Sequence, residues 1–225
     1  LSLALFDLDH TLLEGDSDYL WGKFLASRGI LDSNSYERKN RRFYRAYLQG
    51  TLDIHEFLCF QLKSLAEHDP ETLYRWRSQF FKEAIQPIVL PAALNLLGQH
   101  RARGDTLLII TATNRFITAP IAEFLGVDEL LATEPEMIEG RYTGRATGIP
   151  CFREGKVTRL EQWLYEHHMT LAQSWFYSDS HNDIPLLERV TYPVAVDPDE
   201  ALAKYATRRN WRIISLRGES EEEAG

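Results

Sequence analysis

This sequence predicts an α/β protein: a doubly wound, Rossmann-like parallel sheet carrying an inserted all-helical unit. Three observations lead there. Short apolar runs that read as buried strands alternate with amphipathic helices, a pattern that gives a parallel sheet with crossovers on both faces. One long stretch, from about Ser17 to Ile85, holds helical patterns only. Acidic and hydroxyl residues stand at the ends of the apolar runs, and ligands of open α/β sheets bind at the carboxyl ends of strands.

The first strand is Leu3 to Phe6, and Asp7 and Asp9 follow it directly. Leu12 to Asp18 is a turn rich in helix N-cap residues. The insertion opens with a helix whose apolar face carries Tyr19, Leu20, Phe24 and Leu25 and which Gly29 closes. A second helix runs from about Ser33 to Gly50, Asp53 caps a third, and Pro70 opens a fourth. Four helices without a strand predict a bundle-like unit with its own small core. On the second helix Tyr36, Asn40, Phe43, Tyr44 and Tyr47 share one face, opposite Arg38, Arg41, Arg42 and Arg45. The basic face reads either as solvated surface or as the source of one arginine, with Arg45 the candidate, that grips a substrate anion.

Pro87 and Pro91 mark the return to the main domain. Ala92 to Arg103 is a helix stopped by Gly104, and Thr106 to Ile110 is a buried strand ending in Thr111-Ala112-Thr113-Asn114. A helix over Ile117 to Leu125 closes at Gly126, and Met137–Tyr142 and Arg145–Thr147 read as a small hairpin turning at Gly144. Gly155 and Lys156 open a helix reaching His168, and Ser174 to Ser178 is a strand that ends in Asp179-Ser180-His181-Asn182-Asp183. A helix, a strand at Pro193–Val196, a helix from about Asp199 and a strand at Trp211–Ile214 complete the pattern. The predicted core domain is therefore 1–15 plus 88–217, the helical insertion 16–87, and a disordered acidic tail 218–225.

With 225 residues, 44% of them hydrophobic and 26% charged, the chain has an ordinary soluble globular profile. Its net charge of −8 owes four charges to Glu219, Glu221, Glu222 and Glu223, and the absence of a broad basic tract argues against nucleic acid as a partner. No apolar run nears the ~18 residues of a membrane span, and no signal peptide is recognised. Leu1 in place of a methionine suggests trimming or a start further upstream. Cys59 and Cys151 match no metal or redox spacing and fit buried or incidental thiols of a reducing compartment. A cytoplasmic monomer or homodimer acting on a small molecule is the expectation.

Two carboxylates as close as Asp7 and Asp9 repel, so the pair calls for a bound cation, although D-x-D-x-T alone also describes a strand running into an Asp-rich turn. The other strand ends bear on that choice. Thr111, Asp179 and Asp183 collect at the same sheet edge, and Lys156 can approach it from a helix N-terminus. Such a set suits Mg²⁺ and phosphate. The ion and Lys156 would offset the charge that keeps an anionic carboxylate from an anionic substrate, while Thr111 and backbone N–H groups at Ala112 and Thr113 would hold the equatorial oxygens. A carboxylate nucleophile would form an aspartyl-phosphate, and a neighbouring Asp that gains and loses one proton can act as acid and then as base.

Together Asp7-Leu8-Asp9-His10-Thr11, the strand end at Thr111, Lys156 and the Asp179–Asp183 segment resemble the four motifs of the haloacid dehalogenase superfamily of phosphatases. The helical insertion resembles the C1 cap of the phosphoserine phosphatase-like branch. The resemblance implies that Asp7 is the nucleophile and Asp9 the general acid/base. It implies Mg²⁺ held by the Asp7 carboxylate, the Asp9 carbonyl and Asp179, with Asp183 orienting the metal shell through water or Lys156. Thr111 and Lys156 would bind the phosphoryl group, Asn182 would lie near it, and the cap would close over the site and read the leaving group.

Two departures matter. Phosphoserine phosphatases carry a glutamate nine positions after the nucleophile, which recognises the substrate amine; here Asp16 stands there, either facing an amine or merely capping the next helix. Ser180-His181 replaces the Gly-x pair common in relatives. His10 is read as a neighbour of the site without a proton-transfer role, and His55, His68, His100, His167 and His168 as surface or helix-end residues. The reaction expected is Mg²⁺-dependent hydrolysis of a small phosphomonoester resembling phosphoserine or histidinol phosphate. The alternatives are a phosphotransferase to a non-water acceptor and a phospho-accepting regulatory binder.

Overall fold

The computed structural model describes residues 2–218, so the predicted acidic tail lies, beyond Gly218, outside the described residues. The predicted doubly wound α/β class is the one observed. Seven strands form one sheet in the order β4-β3-β2-β1-β5-β6-β7: β1 Leu3–Phe6, β2 Thr106–Asn114, β3 Glu129–Ile138, β4 Arg141–Thr147, β5 Trp175–Ser178, β6 Tyr192–Val196 and β7 Arg212–Ile214. All pairs are parallel except β3 with β4. The chain leaves β1 toward β2 on one side and later returns to β5 on the other, so the sheet's switch point lies at the carboxyl end of β1.

Alternate residues of the strands serve opposite faces. Ala4, Phe6, Leu107 and Ile109 point into a cluster shared with α5 (Pro91–Ala102) and α6 (Arg115–Leu125). Leu3, Leu5, Leu108 and Ile110 point into a second cluster with α7 (Glu154–Glu166), α8 (Ile184–Leu187) and α9 (Glu200–Arg209). Every side chain of β1 is fully buried, as a central strand covered on both faces requires.

The cap contains α1 Ser17–Ser27, α2 Ser33–Leu48, α3 Ile54–Ala66 and α4 Pro70–Phe80. Each begins at an aspartate, Asp16, Asp32, Asp53 or Asp69, whose carboxylate accepts a first-turn backbone N–H. The separate small core expected of these helices is not found. Trp21 stacks on Phe24 and meets Phe80 edge-on, and at 5.6 Å it also meets Phe116 of α6, so the cap's buried side chains continue the core of one sheet face. A π-turn, Phe81–Ile85, ends the insertion, and the two connectors pair where Leu90 N–H donates to Leu12 O and Glu14 N–H to Ile88 O. Among the described residues no helix is long and apolar enough to cross a membrane.

The hairpin differs from its prediction. β3 begins at Glu129, pairs first with β2 and then with β4, and the turn falls at Glu139–Gly140, both at positive φ. Gly144 lies within β4, where a Cβ would stand 3.2 Å from Ala66 Cβ of α3; its smallness admits the helix and makes no turn. Gly22 is tighter. A Cβ there would lie 1.9 Å from the Tyr36 ring, which is buried, stacked on Phe60 and held by its hydroxyl to Tyr19 O. Gly22→Ala is therefore expected to lower stability by about 1–3 kcal/mol in a denaturant titration, and an unchanged midpoint would show that Tyr36 swings aside freely.

Candidate active site

The acids predicted at the strand ends do converge. Asp7 leaves β1, Thr111 and Thr113 lie in β2, and Asp179 to Asp183 follow β5, with Lys156 in the first turn of α7. The buried Lys156 Nζ donates to Asp7 Oδ1 and to Asp183 Oδ2, both at 2.8 Å. Ser178 Oγ also donates to Asp183 Oδ2, at 2.7 Å, so Asp183 serves the lysine directly. Asp9 is oriented by two donors: Ser17 N–H on Oδ1 at 2.8 Å and Thr113 Oγ1 on Oδ2 at 2.7 Å. Thr11 Oγ1 donates to Asp179 Oδ1 at 3.1 Å. Thr111 Oγ1 accepts the Thr113 N–H at 3.2 Å.

A cavity of about 110 Å³ joins these residues to the cap. Its floor includes Asp7, Asp9, Thr111, Ala112, Thr113, Lys156, Asp179, Asn182 and Asp183. Its roof includes Phe43, Tyr44 and Tyr47 of α2, Phe57 of α3 and Phe152 before α7. Asp16 and Asp18 line one side. Asp16 caps α1 through Tyr19 N–H at 2.8 Å, as the second of its two readings expected, and also lines the cavity. Asp18, unforeseen, is buried with Asn114 Nδ2 donating to its Oδ1 at 3.1 Å.

Charge is concentrated here out of water. Burial first, and then Asp183, push the Asp7 carboxyl up to about 7 against the opposing pull of Lys156. Burial and then the charge of Asp9 raise Asp16 to about 7 as well. Burial lifts Asp18 well above the carboxylate range, helped by Asp16. It does the same for Asp179, aided by Asp7 and Asp183. Burial alone would lower the Lys156 ammonium, but Asp183 and Asp7 outweigh it and hold the proton on.

Burial lifts both Asp7 and Asp179, and a cation between them would favour their charged forms, which is the fit these residues offer a metal. Among the described residues no group of three or more His, Cys, Asp or Glu side chains is placed to hold an ion. Two carboxylates, completed by the Asp9 carbonyl, waters and substrate oxygens, would suit an ion of the magnesium kind, for which dedicated protein cages are not needed. As a metal ligand the Asp9 side chain is less available than the others, since Ser17 and Thr113 occupy both of its oxygens, whereas Asp7, Asp179 and Asp183 each have one oxygen engaged.

Arg45 is the predicted residue that the fold does not bring to the site. It is exposed on the last turn of α2 and is not among the cavity's lining residues, because the aromatic face of that helix points inward. The aromatic stripe itself was visible at helical spacing. Arg153 gave no comparable signal, yet its Nε donates to Asn182 Oδ1 at 2.9 Å and its Nη2 to Gly50 O at 2.7 Å. Away from the site, Cys151 is buried and Cys59 exposed, both free. His100 ends α5 but is buried, pairing with Asp105 at 2.6 Å and the Tyr177 hydroxyl at 2.8 Å.

A sheet whose switch point gathers a carboxylate paired with a buried lysine and a second carboxylate held by two donors defines a class. The chain belongs to the haloacid dehalogenase-like hydrolases, whose family model matches residues 4–188. Relatives of it are named as phosphatases, and its fold is that of the phosphoserine phosphatases. A histidinol-phosphatase of Neisseria meningitidis is 42% identical over 220 residues, covering 96% of this chain and 99% of the relative. The crystal structure of a protein of unknown function from Bordetella pertussis Tohama I superposes with a TM-score of 0.90 at 46% identity, covering 96% of this chain and 98% of that one. A substrate-bound phosphoserine phosphatase complex shares the fold, with a TM-score of 0.71, 18% identity and coverage of 95% and 92%.

Proposed function

We propose that this protein is a Mg²⁺-dependent phosphomonoester hydrolase that works through an aspartyl-phosphate and takes a small amine-bearing substrate of the histidinol phosphate kind. One observation carries the choice of substrate: the charge pattern of the cavity. Among its lining residues Lys156 is the sole lysine or arginine, and it is committed to Asp7 and Asp183. Asp16 and Asp18 offer carboxyl oxygens to an ammonium group, whose positive charge would favour their ionised forms, and the aromatic roof offers flat apolar contact to a ring. Phosphoserine adds a carboxylate, which here would meet two acids and no cation. Histidinol phosphate carries an amine and a ring without that carboxylate. The 42% identity to a protein named histidinol-phosphatase supports the same reading.

In this reading Asp7 attacks phosphorus, the bond to the ester oxygen breaks, and Asp9 gives its proton to the departing alkoxide. Asp9 then takes a proton from water as that water attacks the phosphorus, which releases inorganic phosphate and restores Asp7. Ser17 N–H and the Thr113 hydroxyl keep Asp9 aimed during both transfers. The Thr111 hydroxyl, which accepts the Thr113 N–H, would donate its own proton to a phosphoryl oxygen, and Lys156 would balance the phosphoryl charge. Mg²⁺, when bound at Asp7 and Asp179, adds further neutralisation of the phosphoryl group and the attacking carboxylate.

Phosphate release with Mg²⁺ from histidinol phosphate, phosphoserine and phosphoethanolamine tests the proposal. Histidinol phosphate is expected to exceed phosphoserine in kcat/KM by about 10²-fold, the cost of a buried, unpaired charge. A preference for phosphoserine would overturn the reading.

A further inference from the structure

The last turn of α2 is fastened to the loop after β5 by contacts that the chemistry above leaves unused. Tyr47 Oη donates to Ser180 Oγ at 2.6 Å. Ser180 Oγ in turn accepts the Asn182 N–H at 3.2 Å, and Asn182 Nδ2 reaches Tyr47 O at 3.4 Å. Arg153 closes the group from the other side, spanning Asn182 Oδ1 and Gly50 O with two donors of one guanidinium. Ser180 and Asn182 are buried, and Tyr47 forms part of the cavity roof. Arg153 does this from a left-handed backbone, φ +50°, a conformation that costs about 1–3 kcal/mol in a non-glycine residue and persists where surrounding contacts enforce it. It stands at the start of α7, three residues before Lys156.

We infer that Tyr47, Ser180 and Arg153 form a clasp that seats the cap on the loop bearing Asp179, Asn182 and Asp183, and that they are positioning residues for that loop. The Ser180 hydroxyl is what Tyr47 grasps. The leaving-group roof and the phosphate-side loop thereby become one rigid body. The kinetic part of this inference rests on the hydrolase reading above; the mechanical part does not.

Two measurements test it on the whole protein. In steady-state hydrolysis Tyr47→Phe, which keeps the ring in the roof, and Ser180→Ala are each expected to lower kcat about 10-fold with KM within twofold, the loss of roughly one buried hydrogen bond. The double variant should fall no further than Ser180→Ala alone, because that change already removes the Tyr47 bond together with the acceptor of the Asn182 N–H. Arg153→Lys, which keeps the charge but loses the two-donor fork, should show the same split. A rise in KM alone would mean that the Tyr47 hydroxyl touches substrate instead, and additive losses would mean that the pair is not coupled. In backbone hydrogen exchange, without substrate, Tyr47→Phe should quicken residues 180–183 and Ser180→Ala should quicken residues 46–51. Changes confined to each variant's own segment would overturn the clasp. An absence of phosphatase activity in the parent protein would instead overturn the function proposed above and leave this exchange result standing.

Discussion

Asp7→Asn is expected to abolish turnover, with kcat falling by about 10⁴-fold or more, the scale seen when a group that acts as part of a nucleophilic unit is removed. The amide cannot form the acyl-phosphate bond, and no other carboxylate shares its position: Asp9 is turned toward Ser17 and Thr113, and Asp179 toward Thr11. The fold should survive, because Lys156 retains Asp183. Stability adds a second, independent readout. The folded Asp7 carboxyl titrates near 7, chiefly through burial, against 3.8 when unfolded. Between those two values the folded state holds a proton that the unfolded state has released, so this group's contribution to stability falls as pH rises from about 4 to about 7 and is fully lost above that. Asparagine has no proton to lose. In metal-free buffer the melting temperature of Asp7→Asn relative to the parent should therefore climb between pH 4 and pH 8, and added Mg²⁺ should narrow the gap by stabilising the parent alone. Residual parental rates would remove Asp7 from the nucleophile's role.

That such a prediction can name single oxygens reflects which parts of the chain announce themselves. A strand such as Leu3–Phe6 is buried on both faces, so it must be apolar throughout, and the first charges after it mark its end unmistakably. The same reasoning located Thr111 and Asp179. It failed at β3, where Glu129-Leu130-Leu131-Ala132 is too short an apolar run to be separated from the helix before it, and where pairing with β2 decides the conformation. Cap residues are harder for a different reason. The face of α2 that carries Tyr44 and Tyr47 and the face that carries Arg45 are both regular at helical spacing, and only the packing of α2 over the strand ends selects the aromatic one. Arg153 was out of reach altogether, since its role depends on a backbone angle and on partners more than 25 residues away, Asn182 and Gly50. Asp16 shows that a helix cap need not be only that: its carboxylate caps α1 and lines the cavity at once.

Lys156→Ala should damage both folding and catalysis, and the two effects come from the same bonds. Nζ stands 2.8 Å from Asp7 and from Asp183, and all three side chains are nearly free of solvent. Removing the cation leaves buried carboxylates unpaired, a loss of about 3–5 kcal/mol where one partner of a buried pair is deleted. Protonation is the escape open to those acids, so the deficit should be smallest at low pH and grow as pH rises and the protons must leave. Mg²⁺ should restore part of the melting temperature at pH 8 by supplying positive charge at Asp7 and Asp179, but it cannot replace the lysine's bond to Asp183. For turnover, loss of a fixed positive donor beside the phosphoryl group is expected to lower kcat/KM by about 10²–10³-fold. Thermal melts across pH, with and without Mg²⁺, together with phosphate release by the same variant, check both halves. A stable, fully active Lys156→Ala protein would mean that another cation balances Asp7 and Asp183, and would undo the electrostatic account of this site.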